Sequence, residues 1–245
     1  MEEKAPVISI LAGRLGNCMF QIANGLNYAR LHNRPFKIYY GDFQPADTQY
    51  SSILGRFERL TELPDNKIKV EEEEREDGYK NLVFPDDIAV MFEGYFQDEK
   101  YVDKNDVLEA FKTPEGLREK VFEKYGDISD CVSIHVRRGD FVGIGIALDA
   151  DWYEDVYKEF FNGQRAFICS DDIEWCKENI KIENAIFANG ETAVEDLYAA
   201  SFCKNHIADN GSFGWWTAYL GQRKDTVVVV KEGVIKSFPK NWIKR

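Results

Sequence analysis

The chain has 245 residues, of which 44% are hydrophobic and 14% are aromatic, and its formal net charge at pH 7 is −12. This length suffices for one large domain or for two compact halves, and the composition is that of a packed globular protein. The negative charge argues against broad binding to nucleic acid or to anionic membranes, so any anion site must be a local concentration of positive charge.

The start of the chain predicts a cytoplasmic protein. Its first residues are acidic, and the apolar run that follows is too short and wrongly flanked for a signal peptide. No stretch reaches the ~20 apolar residues of a membrane span, so we expect no stable membrane insertion. The five cysteines are scattered without a C-x-x-C pair, which predicts buried thiols in a reducing compartment rather than disulfides or a zinc site.

The first half opens with a strand–helix–strand pattern. An apolar run at 6–13 predicts a buried strand, apolar residues at helical spacing predict a helix over 17–32, and 35–41 predicts the next strand. The region 42–90 is less regular. Its acidic run at 70–77 predicts a solvated loop or a helix end, with a functional acidic patch as the less favoured alternative.

The second half alternates strand-like and helix-like runs after a charged helical stretch near 103–125. The strand-like runs are 131–136, 165–170, 185–188, 206–210 and 226–233, and the helical runs are 151–161, 172–180, 193–204 and 212–221. This alternation predicts a parallel sheet with helices on both faces. We therefore predict two α/β domains, 1–128 and 129–245, with ligands beyond the carboxyl ends of the strands.

The segment "HVRRGD" (135–140) follows one predicted strand directly. On a continuing strand Arg137 and Arg138 would point to opposite faces, so one can reach a ligand while the other braces the loop against Asp140. A guanidinium presents a planar fork of donors that suits phosphate oxygens. The alternative is a pair of surface arginines engaged in ion pairs.

The segment "LAGRLGN" (11–17) is a second strand-to-helix turn. Gly13 and Gly16 allow the backbone to approach a ligand near a helix N-terminus. The spacing is neither the dinucleotide fingerprint nor a P-loop. The alternative interpretation is a tight turn in which Asn17 caps the helix.

Two later turns also carry polar groups. In "ICSDD" (168–172) the two carboxylates either cap the following helix or bind sugar hydroxyls or a base. In "DNGSFGWW" (209–216) Ser212 and the following N–H groups can hold a phosphate. We expect Trp215 and Trp216 in the core rather than as a sugar-stacking platform.

The pattern Asp149-Ala150-Asp151 matches the D-x-D that holds Mn²⁺ in many glycosyltransferases. It stands directly before a predicted helix, so capping is the better account. His32, His135 and His206 are too dispersed to suggest zinc. We therefore predict no metal.

Five segments together resemble the α-1,2-fucosyltransferases of glycosyltransferase family 11. They are, in the order of the family, "GRLGNCMFQIA", "GYFQDEKYV", "HVRRGDF", "FICSDDIEW" and "IADNGSFGWWTAYLG". The resemblance implies a GT-B architecture, in which two Rossmann-like halves face an interdomain cleft. It also implies metal-independent, inverting transfer of L-fucose from GDP-fucose to a hydroxyl of a galactose-containing oligosaccharide or glycolipid, forming an α-1,2 linkage.

The resemblance also implies roles for individual residues. It assigns Arg137 to the donor diphosphate, with Arg138 in the same motif, and Ser212 and Phe213 to its β-phosphate. It assigns His135 to the nucleotide, Asp196 to guanine and Asp171 to the ribose region. Arg14 and Asn17 are assigned to the acceptor side. Two positions depart from the family: Cys18 replaces its usual Gln and Gly214 its usual Ser. Neither change removes a charge.

The catalytic base stays open at this level. Asp140 is the first candidate because it belongs to the arginine motif, although pairing with Arg138 is an equal alternative. Glu93 and Asp98, which flank "GYFQ", are weaker candidates. Two other functions also remain open: a fucosyltransferase with a different acceptor or linkage, and a nucleotide-sugar-binding protein without transfer activity.

Overall fold

The computed structural model describes residues 3–41, 47–73, 75–233, 235 and 237–245. The chain forms two compact units, Met1–Lys112 and Thr113–Arg245. Each unit contains a parallel β-sheet with helices. Among the described residues, no helix has the length and apolar character needed to cross a membrane.

The first unit is built on a four-stranded sheet with the order β2-β1-β4-β3. Its described elements are β1 (Val7–Ile10), α1 (Leu15–His32), β2 (Phe36–Tyr39), α2 (Asp47–Leu54), β3 (Lys67–Glu71), β4 (Ala89–Glu93), a 3₁₀ helix (Glu99–Tyr101) and α3 (Lys104–Ala110). The paired strands run parallel throughout. The chain order reverses beside β1, which pairs with β2 on one side and with β4 on the other.

The second unit is built on a six-stranded parallel sheet with the order β10-β9-β8-β5-β6-β7. Its described elements are α4 (Leu117–Tyr125), β5 (Val132–Val136), α5 (Gly139–Gly143), α6 (Ala150–Phe160), β6 (Ala166–Ser170), α7 (Ile173–Asn179), β7 (Ile186–Phe187), α8 (Ala193–Ser201), β8 (Asn205–Ala208), α9 (Ser212–Gly221), β9 (Val228–Val230) and β10 (Ile243–Lys244). Counted from β5, this is the doubly wound order 3-2-1-4-5-6, and its switch point lies between β5 and β8.

The central strand β5 shows why the sequence forms this sheet. All five of its residues are buried, as expected for a parallel strand covered on both faces. The surrounding core includes Tyr153 and Val156 of α6 and Ile168 of β6. Helix α8 begins at a local capping signal: Thr192 accepts the N–H of Glu195 at 3.1 Å.

The predicted boundary between 128 and 129 is wrong in one respect. Helix α4 belongs to the second unit, which begins at Thr113. Phe122 of α4 packs edge-on against Phe202 at 6.0 Å, and Lys124 forms an ion pair with Glu195 of α8 at 3.2 Å. A charged amphipathic helix carries no sequence sign of which core it joins, so the boundary was placed too late.

The acidic run at 70–77 also differs from its prediction. Val70 and Glu71 end strand β3, so the run does not begin as a loop or a helix end. Its fifth residue, at position 74, lies outside the described residues. The other strands and helices predicted for the second half are present, with shorter bounds for most of them.

Candidate active site

Three neighbouring strands of the second unit, β6, β5 and β8, end beside one another. Neighbouring strands lie ~4.8 Å apart, so the residues that follow them share one edge, called here the β6–β5–β8 edge. Asp171 follows β6, Arg137 follows β5 and Asp209 follows β8. This is the switch point of the sheet, where open α/β sheets bind their ligands.

The guanidinium of Arg137 is held by two carboxylates. Its Nη1 lies 2.6 Å from Oδ2 of Asp171, and its Nη2 donates to Asp140. The Arg137 side chain is 14% exposed. The predicted alternative, in which Asp140 pairs with Arg138, is therefore wrong. Because β5 ends at Val136 and α5 begins at Gly139, the two arginines do not lie on a continuing strand.

Arg138 is fixed by stacking. Its guanidinium carbon lies 3.7 Å from the ring centroid of Trp175 on α7. Its main-chain N–H donates to Oδ1 of Asp171 at 2.8 Å. A cation above an indole is attracted to the face of the ring. Arg138 therefore braces the loop through Trp175, a residue to which sequence reasoning gave no role.

The two carboxylates of "ICSDD" have different positions: one caps the following helix and the other contacts the arginine turn. Asp172 is the N-cap of α7 and accepts the N–H of Trp175 at 3.3 Å, so the capping interpretation is confirmed for this residue. Asp171 instead contacts the side chain of Arg137 and the main chain of Arg138. The predicted contact of Asp171 with a ribose stays a prediction.

His135 lies buried at the end of β5, next to Asp209 and Phe213, which follow β8. Its ring stacks on Phe213 with centroids 4.7 Å apart, and its Nδ1 lies 3.1 Å from Oδ2 of Asp209 without hydrogen-bond geometry. A Cβ at Gly214 would lie 3.2 Å from that Nδ1 and 3.3 Å from Oδ1 of Asp209. The glycine that departs from the family pattern thus allows α9 to lie close to β5.

Helix α9 begins at Ser212, directly after the turn that follows β8. The N-terminal end of a helix carries the positive end of the helix dipole, and its first-turn N–H groups point along the axis out of the helix. Trp215 and Trp216 are completely buried, which confirms the core interpretation for both.

Asp196 lies in the first turn of α8, partly buried. Its Oδ1 accepts the N–H of Gly190 at 3.0 Å. Burial raises the pKa of Asp196 to about 6. A carboxylate with so high a pKa changes charge close to neutral pH, which is a frequent property of ligand-binding groups.

The first unit has its own switch point, beside β1. Gly13 has φ +80, a conformation that favours glycine, and α1 begins two residues later. The predicted capping role of Asn17 is wrong, because Arg14 holds the N-cap position and Asn17 is the third residue of α1. The Asn17 side chain instead accepts a hydrogen bond from Nε2 of Gln97 at 2.7 Å.

The turn that follows β4 is tied to the turn that follows β1. Gln21 accepts the N–H of Ala12 and donates to the carbonyl of Gly94, both at 3.0 Å. Phe96 has φ +52, which is strained for a bulky residue. Glu72, from the acidic run, stabilises this turn because its Oε2 accepts the N–H of Phe96 at 2.9 Å.

The weaker base candidates have structural partners. Glu93 Oε2 lies 2.5 Å from Nζ of Lys69, and Asp98 is the N-cap of the 3₁₀ helix and accepts the N–H of Lys100 at 3.0 Å. Asp140 is the most exposed of the acidic groups around Arg137, with 58% of its side chain accessible. Asp140 itself contacts Arg137, so its choice as the base stays a prediction.

The remaining sequence predictions concern metals and thiols. Asp149 holds the N-cap position of α6, although its side chain accepts no capping hydrogen bond. Within the described ranges, no three His, Cys, Asp or Glu side chains form a group that could hold a metal ion. All five cysteines are buried and free, as predicted, and burial raises the pKa of the Cys18 thiol to about 12.

Comparison with known protein families decides the identity of the chain. The sequence model of the family described as Glycosyl transferase family 11 matches residues 48–243, a range that includes parts of both units. The chain belongs to glycosyltransferase family 11.

Among its relatives, this family 11 chain is 29% identical to an alpha-1,2-colitosyltransferase of Escherichia coli, with 87% of each chain covered. It is 31% identical to the galactoside alpha-(1,2)-fucosyltransferase 2 of Rattus norvegicus, over 38% of this chain and 30% of the rat enzyme.

The fold of this family 11 protein is that of the GT-B glycosyltransferases. The fucosyltransferase NodZ from Bradyrhizobium superposes with a TM-score of 0.59 at 12% identity, covering 89% of this chain and 92% of NodZ. NodZ has also been solved as an alpha-1,6-fucosyltransferase soaked with GDP-fucose. The predicted GT-B architecture is confirmed.

Sequence reasoning missed the residues that join the motifs of this family 11 chain to one another. Asp209, Glu72, Gln21 and Trp175 make those contacts, and none of them was singled out. A signal existed for Asp209 alone: it is an acidic residue at the end of an apolar strand, where it must be either exposed or paired.

Proposed function

We propose that this family 11 glycosyltransferase transfers L-fucose from GDP-fucose to a hydroxyl of a glycan, with inversion at the anomeric carbon and without a metal. The acceptor proposed is O2 of a galactose residue in an oligosaccharide or glycolipid. The observation that carries the proposal is Arg137 at the β6–β5–β8 edge, with the first turn of α9 following the neighbouring strand. The alpha-(1,2)-fucosyltransferase relatives support the linkage, and the GDP-fucose-soaked NodZ supports the donor.

The chemistry of the donor explains why this edge suits it. Cleavage of the bond between fucose and GDP leaves additional negative charge on the diphosphate. Fixed donors stabilise this charge without reorganising during the reaction. Arg137 supplies a guanidinium whose two carboxylate contacts engage only two of its five N–H groups, and α9 supplies oriented main-chain N–H groups.

The acceptor hydroxyl must lose its proton during the transfer. We propose Asp140 for this step, since it is exposed and lies in contact with Arg137. A diphosphate that takes the place of Asp140 on the guanidinium would free this carboxylate to accept the proton of the acceptor hydroxyl. The acceptor-side role of Arg14 and Asn17 stays a prediction.

A second donor is supported by one observation. The relative that covers 87% of this chain is a colitosyltransferase, and colitose is fucose without its 3-hydroxyl group. An enzyme that hydrogen-bonds the 3-hydroxyl of fucose rejects the sugar that lacks it, because a buried polar group would be left unpaired. GDP-colitose is therefore the alternative donor.

The test is donor turnover with the purified protein. We expect GDP release and fucosyl transfer from GDP-fucose, with a galactose-terminated acceptor such as lactose or N-acetyllactosamine, at rates that EDTA does not change. The same assay with GDP-colitose, other GDP-sugars and UDP-sugars identifies the donor. Dependence on Mn²⁺, or a preference for a UDP-sugar, would contradict the proposal.

The raised pKa of Asp196 leads to a prediction on pH. If its carboxylate accepts N–H groups of guanine, only the ionised form binds the donor. Because the pKa of Asp196 is raised to about 6, its carboxyl group is almost fully ionised at about pH 7.5 and largely protonated at about pH 5. We expect the Kd of GDP-fucose to rise about tenfold between about pH 7.5 and about pH 5.

The design of this measurement isolates Asp196. GDP-fucose is the suitable ligand because both of its phosphates are esterified, so neither takes up a second proton in this range. Asp196→Asn is the matched control, because it keeps the size of the side chain and removes its titration. An equal pH dependence in the variant would assign the effect to another group.

A further inference from the structure

Asp209 is a buried carboxylate at the β6–β5–β8 edge that takes no part in the proposed function. It is the first residue after β8 and is only 1% exposed. Its two oxygens serve two different turns. Oδ2 accepts the main-chain N–H of Arg137 at 2.6 Å, and Oδ1 accepts the main-chain N–H of Gly211 at 2.9 Å.

These two hydrogen bonds join the segments that the proposed function uses. Arg137 follows β5, and Gly211 is the N-cap of α9, directly before Ser212. Burial of a carboxylate is costly unless hydrogen bonds and charges compensate it. Both of its oxygens are satisfied by main-chain donors, and the ring of His135 lies against it at 3.1 Å. The position of this acid is therefore fixed on three sides.

We infer that Asp209 is a positioning residue for the donor diphosphate: it holds the main chain of Arg137 and the first turn of α9 at a fixed separation. The inference rests on the proposed function, since it concerns the same site. Asp209 itself is buried beneath the two turns and acts through them. Its carboxylate aligns the donors that receive the developing charge on GDP.

The two-oxygen geometry requires a carboxylate. An asparagine offers one carbonyl oxygen and one NH₂ group, and its NH₂ would face one of the two main-chain N–H groups. One of the two turns would then lose its partner and shift. Misplacement of a reacting group by ~1 Å can cost ~10²-fold in rate. We therefore expect Asp209→Asn to lower kcat/KM for the donor by about 10²-fold.

The experiment compares Asp209→Asn with a control on the same two strands. Ser133 of β5 shares a buried hydrogen bond of 2.7 Å with His206 of β8, away from the carboxyl ends. Ser133→Ala therefore loosens the same pair of strands without touching either turn. We expect Asp209→Asn to raise the Kd of GDP and to leave KM for the acceptor unchanged. Ser133→Ala is expected to lower Tm and to leave the Kd of GDP unchanged.

A second measurement does not depend on activity. Hydrogen exchange at the amides of Arg137 and Gly211 reports the two hydrogen bonds directly, and we expect faster exchange at both in Asp209→Ala than in the unchanged protein. Normal GDP affinity and turnover in Asp209→Asn would overturn the positioning role. The positioning role would also be overturned if Ser133→Ala lost as much GDP affinity as Asp209→Asn when the two variants lose the same amount of Tm.

The two proposals fail in different ways. If the unchanged protein turns over no GDP-fucose but protects both amides, the proposed function is wrong and the tie through Asp209 stands. If the unchanged protein turns over GDP-fucose and Asp209→Asn does so equally well, the proposed function stands and the positioning role is wrong.

Discussion

Replacement of Arg137 by alanine is expected to lower turnover of GDP-fucose by about 10²–10³-fold, equivalent to about 3–4 kcal/mol. The reason is that the side chain is the fixed cation at the end of β5, held by Asp140 and Asp171 before the donor arrives. Steady-state rates of GDP release at saturating acceptor measure the effect. The fold should remain, since Arg137 follows the strand and its side chain is not part of the core.

Two further variants make this result specific. Arg137→Lys keeps the charge but loses the planar fork, so we expect an intermediate rate. Arg118 is the matched arginine elsewhere in the unit, because it stacks on Phe122 and Phe202 at 4.8 and 5.0 Å. Arg118→Ala is expected to leave turnover within about twofold of the unchanged enzyme, because its contacts are with Phe122 and Phe202 and a surface substitution usually changes stability by no more than ~0.5 kcal/mol. Turnover of Arg137→Ala within tenfold of the unchanged enzyme would exclude the assigned role.

The substitution Trp215→Ala is expected to lower the free energy of unfolding by about 3–5 kcal/mol. Trp215 is completely buried in an aromatic cluster, stacked on Tyr219 at 4.5 Å and in edge contact with Trp216 at 4.9 Å. Alanine would leave a cavity that these rings cannot fill without moving. Urea denaturation followed by circular dichroism measures the loss.

A matched tryptophan tests whether burial causes this effect. Trp175 is half-buried on α7, so Trp175→Ala should cost less stability than Trp215→Ala. The alternative role for Trp215, a surface on which sugars stack, predicts the opposite pattern. An unchanged urea midpoint with lost acceptor binding would support that role and contradict the core assignment.

The sequence was sufficient for the elements because their signals are local. The all-buried strand at 132–136 appears as an apolar run, and the cap at Asp172 appears as an acid before a helical pattern. Both require only neighbouring residues. The sequence also placed Arg137 and Arg138 at the end of a strand, but it did not predict which residues they contact.

What the sequence could not supply is the set of long-range partners. Glu72 accepts hydrogen bonds from residues 23 and 24 positions further along the chain, and the Asp209 contact with Arg137 spans 72 positions. Such contacts depend on which strands become neighbours. The alternative that paired Asp140 with Arg138 is wrong for a related reason: the chain turns into α5 at Gly139, so the alternation of a strand no longer applies.

The carboxylates around Arg137 have a consequence for ligand choice. The guanidinium of Arg137 already holds two carboxylates, so it has little net charge to attract an anion from solution, and we expect a ligand to displace one of the two carboxylates. Such an exchange favours ligands that present several oxygens at once. A nucleoside diphosphate can replace a lost carboxylate contact with several phosphate oxygens, whereas a monophosphate has fewer to offer. Asp140 and Asp171 would thus make the site selective for ligands with at least two phosphates, and GMP should bind far more weakly than GDP.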